Sequence, residues 1–121
     1  MRQIWIGRIL SAVPVLMLFF SAAMKLAHPP ALDEGFAHLE LPISLALGLG
    51  ILETACTVIY LIPRTSVLGA ILLTGYLGGA TLTHLRVGDP YFIQPLLGVM
   101  IWAGLYLRDP RLQALIPFVS R

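Results

Sequence analysis

Four long apolar segments occupy most of this chain and constrain its fold more than any other feature. They are residues 9–27, 44–62, 66–86 and 91–107. Each approaches the roughly 20 apolar residues that a helix needs to cross a bilayer. Only 12% of the residues are charged, against about 25% in a typical soluble domain. We therefore predict an all-α integral membrane protein, a four-helix bundle in which residues 1–121 form a single domain.

The connections between the apolar segments carry short helical patterns of their own. In residues 28–43, apolar residues recur at helical spacing after two adjacent prolines, which suit a first helical turn. They are Leu32, Phe36 and Leu39. We predict a short amphipathic helix here, lying on the membrane surface over the mouth of the bundle. Near the other terminus, Asp109 and Pro110 are typical of the N-cap and first residue of another short surface helix.

The basic residues predict how the bundle is oriented. Six arginines fall on the side that holds both termini: Arg2, Arg8, Arg64, Arg108, Arg111 and Arg121. The opposite side has only Lys25 and Arg86, together with four acidic residues. Because positive residues remain on the cytoplasmic side of a membrane, we predict a multi-pass protein with both termini in the cytoplasm. The net charge of +2 is too small to indicate nucleic acid as a partner.

Glu53 lies near the middle of the second apolar segment and is the strongest candidate for a functional group. An ionisable side chain at mid-bilayer depth costs a few kcal/mol or more, so it is rare and is a candidate for a functional site. The helical rise places Glu53 roughly 13 Å deep in a hydrocarbon core about 30 Å thick. By the same rise Tyr76 is about 15 Å deep. We predict that Glu53 and Tyr76 form an inner polar layer, which Ser21 can share.

A second polar layer is predicted nearer the outer surface. Lys25 lies about 10 Å shallower than Glu53 by the same rise. Because Ser21 and Lys25 are four residues apart, they share one helix face. The two layers together predict an outward-facing polar pocket that narrows towards Glu53. The candidate catalytic residues are Glu53, Tyr76 and His84. The candidate ligand-binding residues are Ser21, Lys25, Thr83, Arg86 and Gln94. The competing interpretation is structural, with Glu53 joining helices and both cations anchoring helix ends.

The residues that carry redox or metal chemistry are scarce. Cys56 is the single cysteine, so no disulfide can form within the chain. The three histidines do not have the spacing of metal ligands, and we predict no metal site. The third segment is rich in small residues, namely Gly69, Gly75, Gly78, Gly79 and Ala80. Because small residues let membrane helices approach closely, we predict that this helix lies in the tightest part of the bundle.

The chain resembles the DoxX-like family of small bacterial membrane proteins. The resemblance is carried by three stretches: FFSAAMKLAHPP, LGILETACTVIYLIPRTSVLGAILLTGYLGGATLTHLRVGDP and LYLRDPRL. It implies a four-helix membrane bundle in a bacterial inner membrane. The family name comes from a subunit of a thiosulfate:quinone oxidoreductase, and related proteins are linked to redox complexes or to the assembly of membrane proteins. The family-like positions that fall in the polar layers are Lys25, Glu53, His84 and Arg86.

Three functions are compatible with this pattern. The first is a subunit of a quinone-linked membrane oxidoreductase that binds a quinone or similar lipophilic molecule in the pocket around Glu53. The second is a non-catalytic partner or assembly factor for another membrane protein. The third is a small membrane enzyme, or a transporter that acts as a homodimer, for a lipophilic substrate. A quinone is the candidate cofactor of the first function, and the absence of any cofactor motif in the sequence counts against that function.

Overall fold

The structure, a computed structural model, describes residues 2–119, which are mainly helical, with no β-strand in that range. The six helices are α1 (Arg2–Ala27), α2 (Pro30–His38), α3 (Ala46–Leu61), α4 (Ser66–Arg86), α5 (Ile93–Arg108) and α6 (Pro110–Leu115). Short 3-10 turns at Ile43–Leu45 and Pro63–Thr65 lead into α3 and α4. Helix α1 begins before the predicted segment because residues 2–8 contain no proline to stop it. The all-α prediction is confirmed.

Four of these helices form the bundle. Helices α1 and α4 each pack against both α3 and α5, so consecutive long helices are antiparallel neighbours. Helix α1, Ile43–Leu61 and Pro63–Arg86 are long and apolar enough to cross a membrane. Helix α5 is apolar but has only 16 residues, a length of about 24 Å. This architecture is the predicted four-helix membrane bundle.

Large apolar side chains cover the outside of the bundle as well as its core. Leu16 and Phe20, for example, face outward and are 69% and 68% exposed. The mainly apolar interior also contains buried polar side chains, with Glu53 and Thr57 at 1% and 0% exposure. Cys56 lies beside them and is also buried. Because outward apolar surface is stable only against lipid, this distribution supports insertion in a bilayer.

Two close helix crossings, α3 with α4 and α1 with α5, are formed at glycines. A Cβ atom placed on Gly69 of α4 would overlap the backbone of Tyr60 in α3. A Cβ atom placed on Gly104 would come within 2.8 Å of the Gly7 carbonyl oxygen, so only glycine fits at this crossing.

The prediction that α4 lies in a tightly packed part of the bundle is confirmed at Gly69, but it is wrong for Gly75, Gly78 and Gly79. A Cβ atom on any of these three would meet no atom of residues 2–119 within 4 Å. These glycines face open cavities, so their missing side chains create space and do not bring helices together.

Both short helices form where the sequence predicts them. Helix α2 buries Leu32 and Phe36 against Ala46 at the start of α3. At α6 the Asp109 side chain accepts a hydrogen bond from the Arg111 backbone N–H at 2.9 Å, which makes it the N-cap. Leu112 is buried against the bundle and fixes the position of α6. Helix α2 thus covers one end of the bundle, and α6 packs at the other.

Candidate functional site

An ion pair between α1 and α3 lies at the centre of the candidate site. The Lys25 Nζ atom is 3.1 Å from Glu53 Oε1. Lys25 also donates a hydrogen bond to Ser21 Oγ at 2.6 Å, and Ser21 donates to Glu53 Oε1 at 3.2 Å. The Glu53 side chain is 2% exposed and that of Lys25 is 14% exposed. The three residues form a closed network in which the buried carboxylate is neutralised and hydrogen-bonded, as a charge in this environment requires.

The network forms because two helices present the right faces. The four-residue spacing of Ser21 and Lys25 puts both side chains on the face of α1 that meets Glu53. The helical rise places the backbone of Lys25 about 10 Å shallower than that of Glu53. The lysine side chain extends along α1 towards Ser21, one turn deeper in the bundle, and its ammonium group therefore reaches the carboxylate.

A cavity of about 660 Å³ opens beside this network. Its polar lining residues are Ser21, Lys25, Tyr76, Thr83, His84 and Gln94. The apolar part of its wall includes Leu32, Phe36 and Leu39 from α2 and the segment after it. Glu53 is not itself among the lining residues, but Ser21 and Lys25, which bind it, are. The structure thus brings six of the eight predicted site residues to one cavity, with Glu53 directly behind its wall.

The polar groups of the wall include both donors and acceptors. Thr83 donates to the Gly79 carbonyl at 2.8 Å, which occupies its hydroxyl hydrogen. The His84 Nδ1 atom lies 2.8 Å from the Ala80 carbonyl oxygen. Since a carbonyl only accepts, Nδ1 carries the hydrogen and Nε2 of the neutral ring is an acceptor. Gln94 Oε1 is buried and has no hydrogen-bond partner within residues 2–119. The cavity therefore offers acceptors as well as the Lys25 ammonium group.

Arg86 differs from the other predicted ligand-binding residues, because it is not among the residues that line the cavity. Its guanidinium donates a hydrogen bond to the Leu39 carbonyl at 2.6 Å and lies 3.9 Å from the Glu40 carboxylate. Nearby, His38 Nε2 lies 2.7 Å from Asp89 Oδ1. These contacts join the end of α2 to the end of α4. Helix α2 and the segment after it, residues 30–41, form a cap over the cavity, and Arg86 holds this cap in place.

A polar cluster at the opposite end of the bundle was not predicted from the sequence. The Tyr60 hydroxyl donates to the Ile101 carbonyl at 2.7 Å and lies 2.7 Å from Ser11 Oγ. Arg108 Nη2 donates to both hydroxyl oxygens, at 3.0 Å to Ser11 and 3.3 Å to Tyr60. The sequence signal was a single polar residue near the same end of α1, α3 and α5. Single serines and tyrosines of this kind are too common in membrane helices to indicate a cluster without knowledge of the helix faces.

Comparison with known proteins gives one match. The model of the DoxX-like family matches residues 9–106, which include the four bundle helices from position 9 onward almost to the end of α5. No curated protein and no solved structure matches significantly. The family match covers the Lys25–Glu53 ion pair, the cavity and the cap. This chain therefore belongs to the DoxX-like family.

Proposed function

We propose that this DoxX-like protein binds a lipophilic molecule with a hydrogen-bonding head in the cavity beneath α2. The observation that carries the proposal is the buried Lys25–Ser21–Glu53 network behind the wall of a cavity of about 660 Å³. Cavities of roughly 300–1,000 Å³ with a few convergent polar groups are typical of small-molecule sites. The apolar wall suits a ring or chain, and the polar groups suit a head with oxygen atoms.

A quinone is the ligand that these groups favour. Its carbonyl oxygens accept hydrogen bonds, and the Lys25 ammonium and the Tyr76 hydroxyl are donors on the cavity wall. Reduction adds electrons and protons and converts the carbonyls to hydroxyls, for which Gln94 Oε1 and His84 Nε2 are acceptors. In this proposal the chain is the quinone-binding subunit of a membrane oxidoreductase. A redox partner supplies the electrons, and Glu53, Tyr76 and His84 transfer protons.

The proposed setting is a bacterial inner membrane, with both termini in the cytoplasm and the cavity towards the outer side. The excess of arginine at the terminal side of the bundle supports this orientation. A redox partner is part of the proposal because a quinone can be reduced or oxidised only with an electron donor or acceptor.

The sharpest test fills the cavity without disturbing the helices. Gly79 lines the cavity, and a Cβ atom there meets nothing within 4 Å in the described chain. We expect Gly79→Leu to fold normally and to lose bound lipophile. Gly48→Leu is the matched control, since Gly48 is equally unobstructed but is not among the cavity-lining residues. The measurement is native mass spectrometry of gently extracted full-length protein, with quinone content determined after solvent extraction.

The result separates the proposal from its main alternative. A quinone in stoichiometric amount that is lost in Gly79→Leu and in Glu53→Gln, but kept in Gly48→Leu and in Glu34→Gln, supports the proposed function. Glu34 is an exposed carboxylate on α2 and controls for the chemical change. A chain with no small molecule but with a firmly bound membrane protein would overturn the proposal in favour of an assembly or scaffold role. If a lipophilic molecule of another class is bound, the cavity is a ligand site but its ligand is not a quinone.

A further inference from the structure

Two arginines converge on a second cavity, at the opposite end of the bundle from the capped site. This cavity has a volume of about 300 Å³ and lies between α1, α3 and α5. Its polar lining consists of Arg8, Ser11, Tyr60 and Arg108. The remaining wall is apolar and is formed by Ala12, Val15, Leu16 and Leu61. A basic notch with an apolar wall is thus built into the membrane-facing surface.

The position of Arg108 is fixed by the bundle itself. Its Nε donates to the Gly104 carbonyl at 3.1 Å, and its Nη2 donates to Ser11 and Tyr60. The guanidinium carbon also lies 5.8 Å from the centroid of the Tyr60 ring. Within residues 2–119, Nη1 donates to no acceptor. A pre-positioned guanidinium with free N–H groups is suited to bind an oxyanion in a bidentate way.

Arg8 adds a second positive charge to the same notch. Its guanidinium carbon lies 4.9 Å from the Trp5 ring centroid, a cation–π contact that orients the side chain near the predicted membrane interface. No carboxylate of residues 2–119 pairs with Arg8 or Arg108, whereas Arg86 and Arg111 pair with Glu40 and Asp109. Two like charges that share a cavity without a counter-ion repel each other, and a bound anion relieves this repulsion.

We propose that this notch binds a phosphate group, with the headgroup of an acidic phospholipid as its source. The two guanidinium groups contact the phosphate oxygens, and the wall of Ala12, Val15 and Leu16 contacts the acyl chain. The Ser11 hydroxyl already donates its hydrogen to Tyr60, whose own hydrogen goes to the Ile101 carbonyl, so Ser11 serves to position Arg108. Basic pockets between membrane helices bind acidic headgroups by this chemistry. The site is separate from the proposed quinone cavity, with which it shares no lining residue.

The test uses the full-length protein in nanodiscs that contain either phosphatidylglycerol or only phosphatidylcholine. Native mass spectrometry then counts the lipids that each chain retains. We expect the wild type to retain phosphatidylglycerol preferentially and Arg8→Gln to lower this retention about five- to tenfold. Arg64→Gln is the matched control, because Arg64 is exposed at the same end of the bundle but does not line the notch. Arg8 is the better target, since Arg108→Gln also breaks contacts that join three helices.

A second arm distinguishes the two sources of phosphate. Inorganic phosphate is titrated into the protein in phosphatidylcholine nanodiscs while the unfolding midpoint is measured. A midpoint that rises in the wild type but not in Arg8→Gln, without selective lipid retention, assigns the notch to a free phosphate and rejects the lipid. Equal retention of phosphatidylglycerol by wild type, Arg8→Gln and Arg64→Gln, with no effect of phosphate, overturns the site altogether.

Discussion

At the scale of single residues, the Lys25–Glu53 pair determines what the interior of the bundle can hold. An unpaired charge at this depth is strongly unfavourable, whereas a hydrogen-bonded pair is tolerated. The lysine is slightly more exposed than the glutamate and lines the cavity. The pair is therefore neutral overall but presents a positive end to anything that enters beneath α2.

We predict strong energetic coupling between these two side chains. Lys25→Met or Glu53→Met leaves one buried charge without its partner, and each single substitution should lower the free energy of unfolding by about 3 kcal/mol. The double substitution removes both charges and should recover most of that loss, with a coupling energy of about 2–3 kcal/mol. Unfolding in detergent by heat or denaturant measures all four proteins. Strictly additive single effects would show that the ion pair does not stabilise the bundle.

Asp109 gives a second prediction at this scale. A hydrogen bond from the Arg111 side chain lowers the pKa of Asp109 and outweighs burial, which raises it, and the Arg111 backbone N–H lowers it further. A carboxyl with a lowered folded-state pKa contributes stability above its unfolded value of about 4, and this stability is lost as pH falls below it. We expect the protection factors of the α6 amides, which are corrected for the intrinsic pH dependence of exchange, to decrease below pH of about 4. In Asp109→Asn this pH dependence should disappear, while Asp33→Asn, on α2, should retain it.

At the scale of helices, the crossing of α1 and α5 depends on two glycines. A Cβ atom on Gly104 lies too close to the backbone of Gly7 and Ser11, and backbone cannot move aside as a flexible side chain can. We predict that Gly104→Ala separates the helices and costs at least about 1–3 kcal/mol. Gly48→Ala, in open space on α3, should be neutral or stabilising because alanine favours helix. Comparable unfolding midpoints for the two variants would contradict this account.

The cap depends on contacts between the end of α2 and the end of α4. Arg86→Gln removes the charged hydrogen bond to the Leu39 carbonyl. We expect amide exchange in α2 to rise about fivefold, since a partly exposed bond of this kind contributes about 1 kcal/mol. Exchange in the bundle helices should not change. Arg64→Gln is the control, because Arg64 lies at the other end of the bundle. An unchanged α2 would show that the buried Leu32 and Phe36 hold the cap unaided.

How far the sequence predicts these elements depends on what positions them. Apolar length and capping residues are local, and they were sufficient to predict the bundle helices, α2 and α6. Helix faces follow from spacing, so Ser21 and Lys25 could be placed together. Which face meets which partner is set by tertiary packing. For that reason the Lys25–Glu53 contact, the contacts of Arg86 with the end of α2 and the Ser11–Tyr60–Arg108 cluster could not be predicted. The glycines of α4 were predicted to form a packing contact together, but Gly69 packs closely against α3 while Gly75, Gly78 and Gly79 face open space.

At the scale of the whole molecule, the alternation of the long helices requires that α1 begins and α5 ends on the same side. We predict that this side is cytoplasmic. A fluorescent reporter fused after the last residue should be bright, and a reporter that is active only outside the cytoplasm should be inactive there. Insertion of the second reporter at Gly88, in the turn between α4 and α5, should give the opposite result. Reversed signals would place the cavity on the cytoplasmic side.

The buried position of Cys56 has a practical consequence for all of these measurements. It is the only thiol in the chain, and it is packed in the centre of the bundle, one helical turn from Glu53. A thiol reagent cannot reach it while the helices are closed, so the rate of labelling reports how often the bundle opens. The rate at which Cys56 is labelled therefore measures the opening of the bundle. We expect molecules bound in the cavity or the notch to lower this labelling rate.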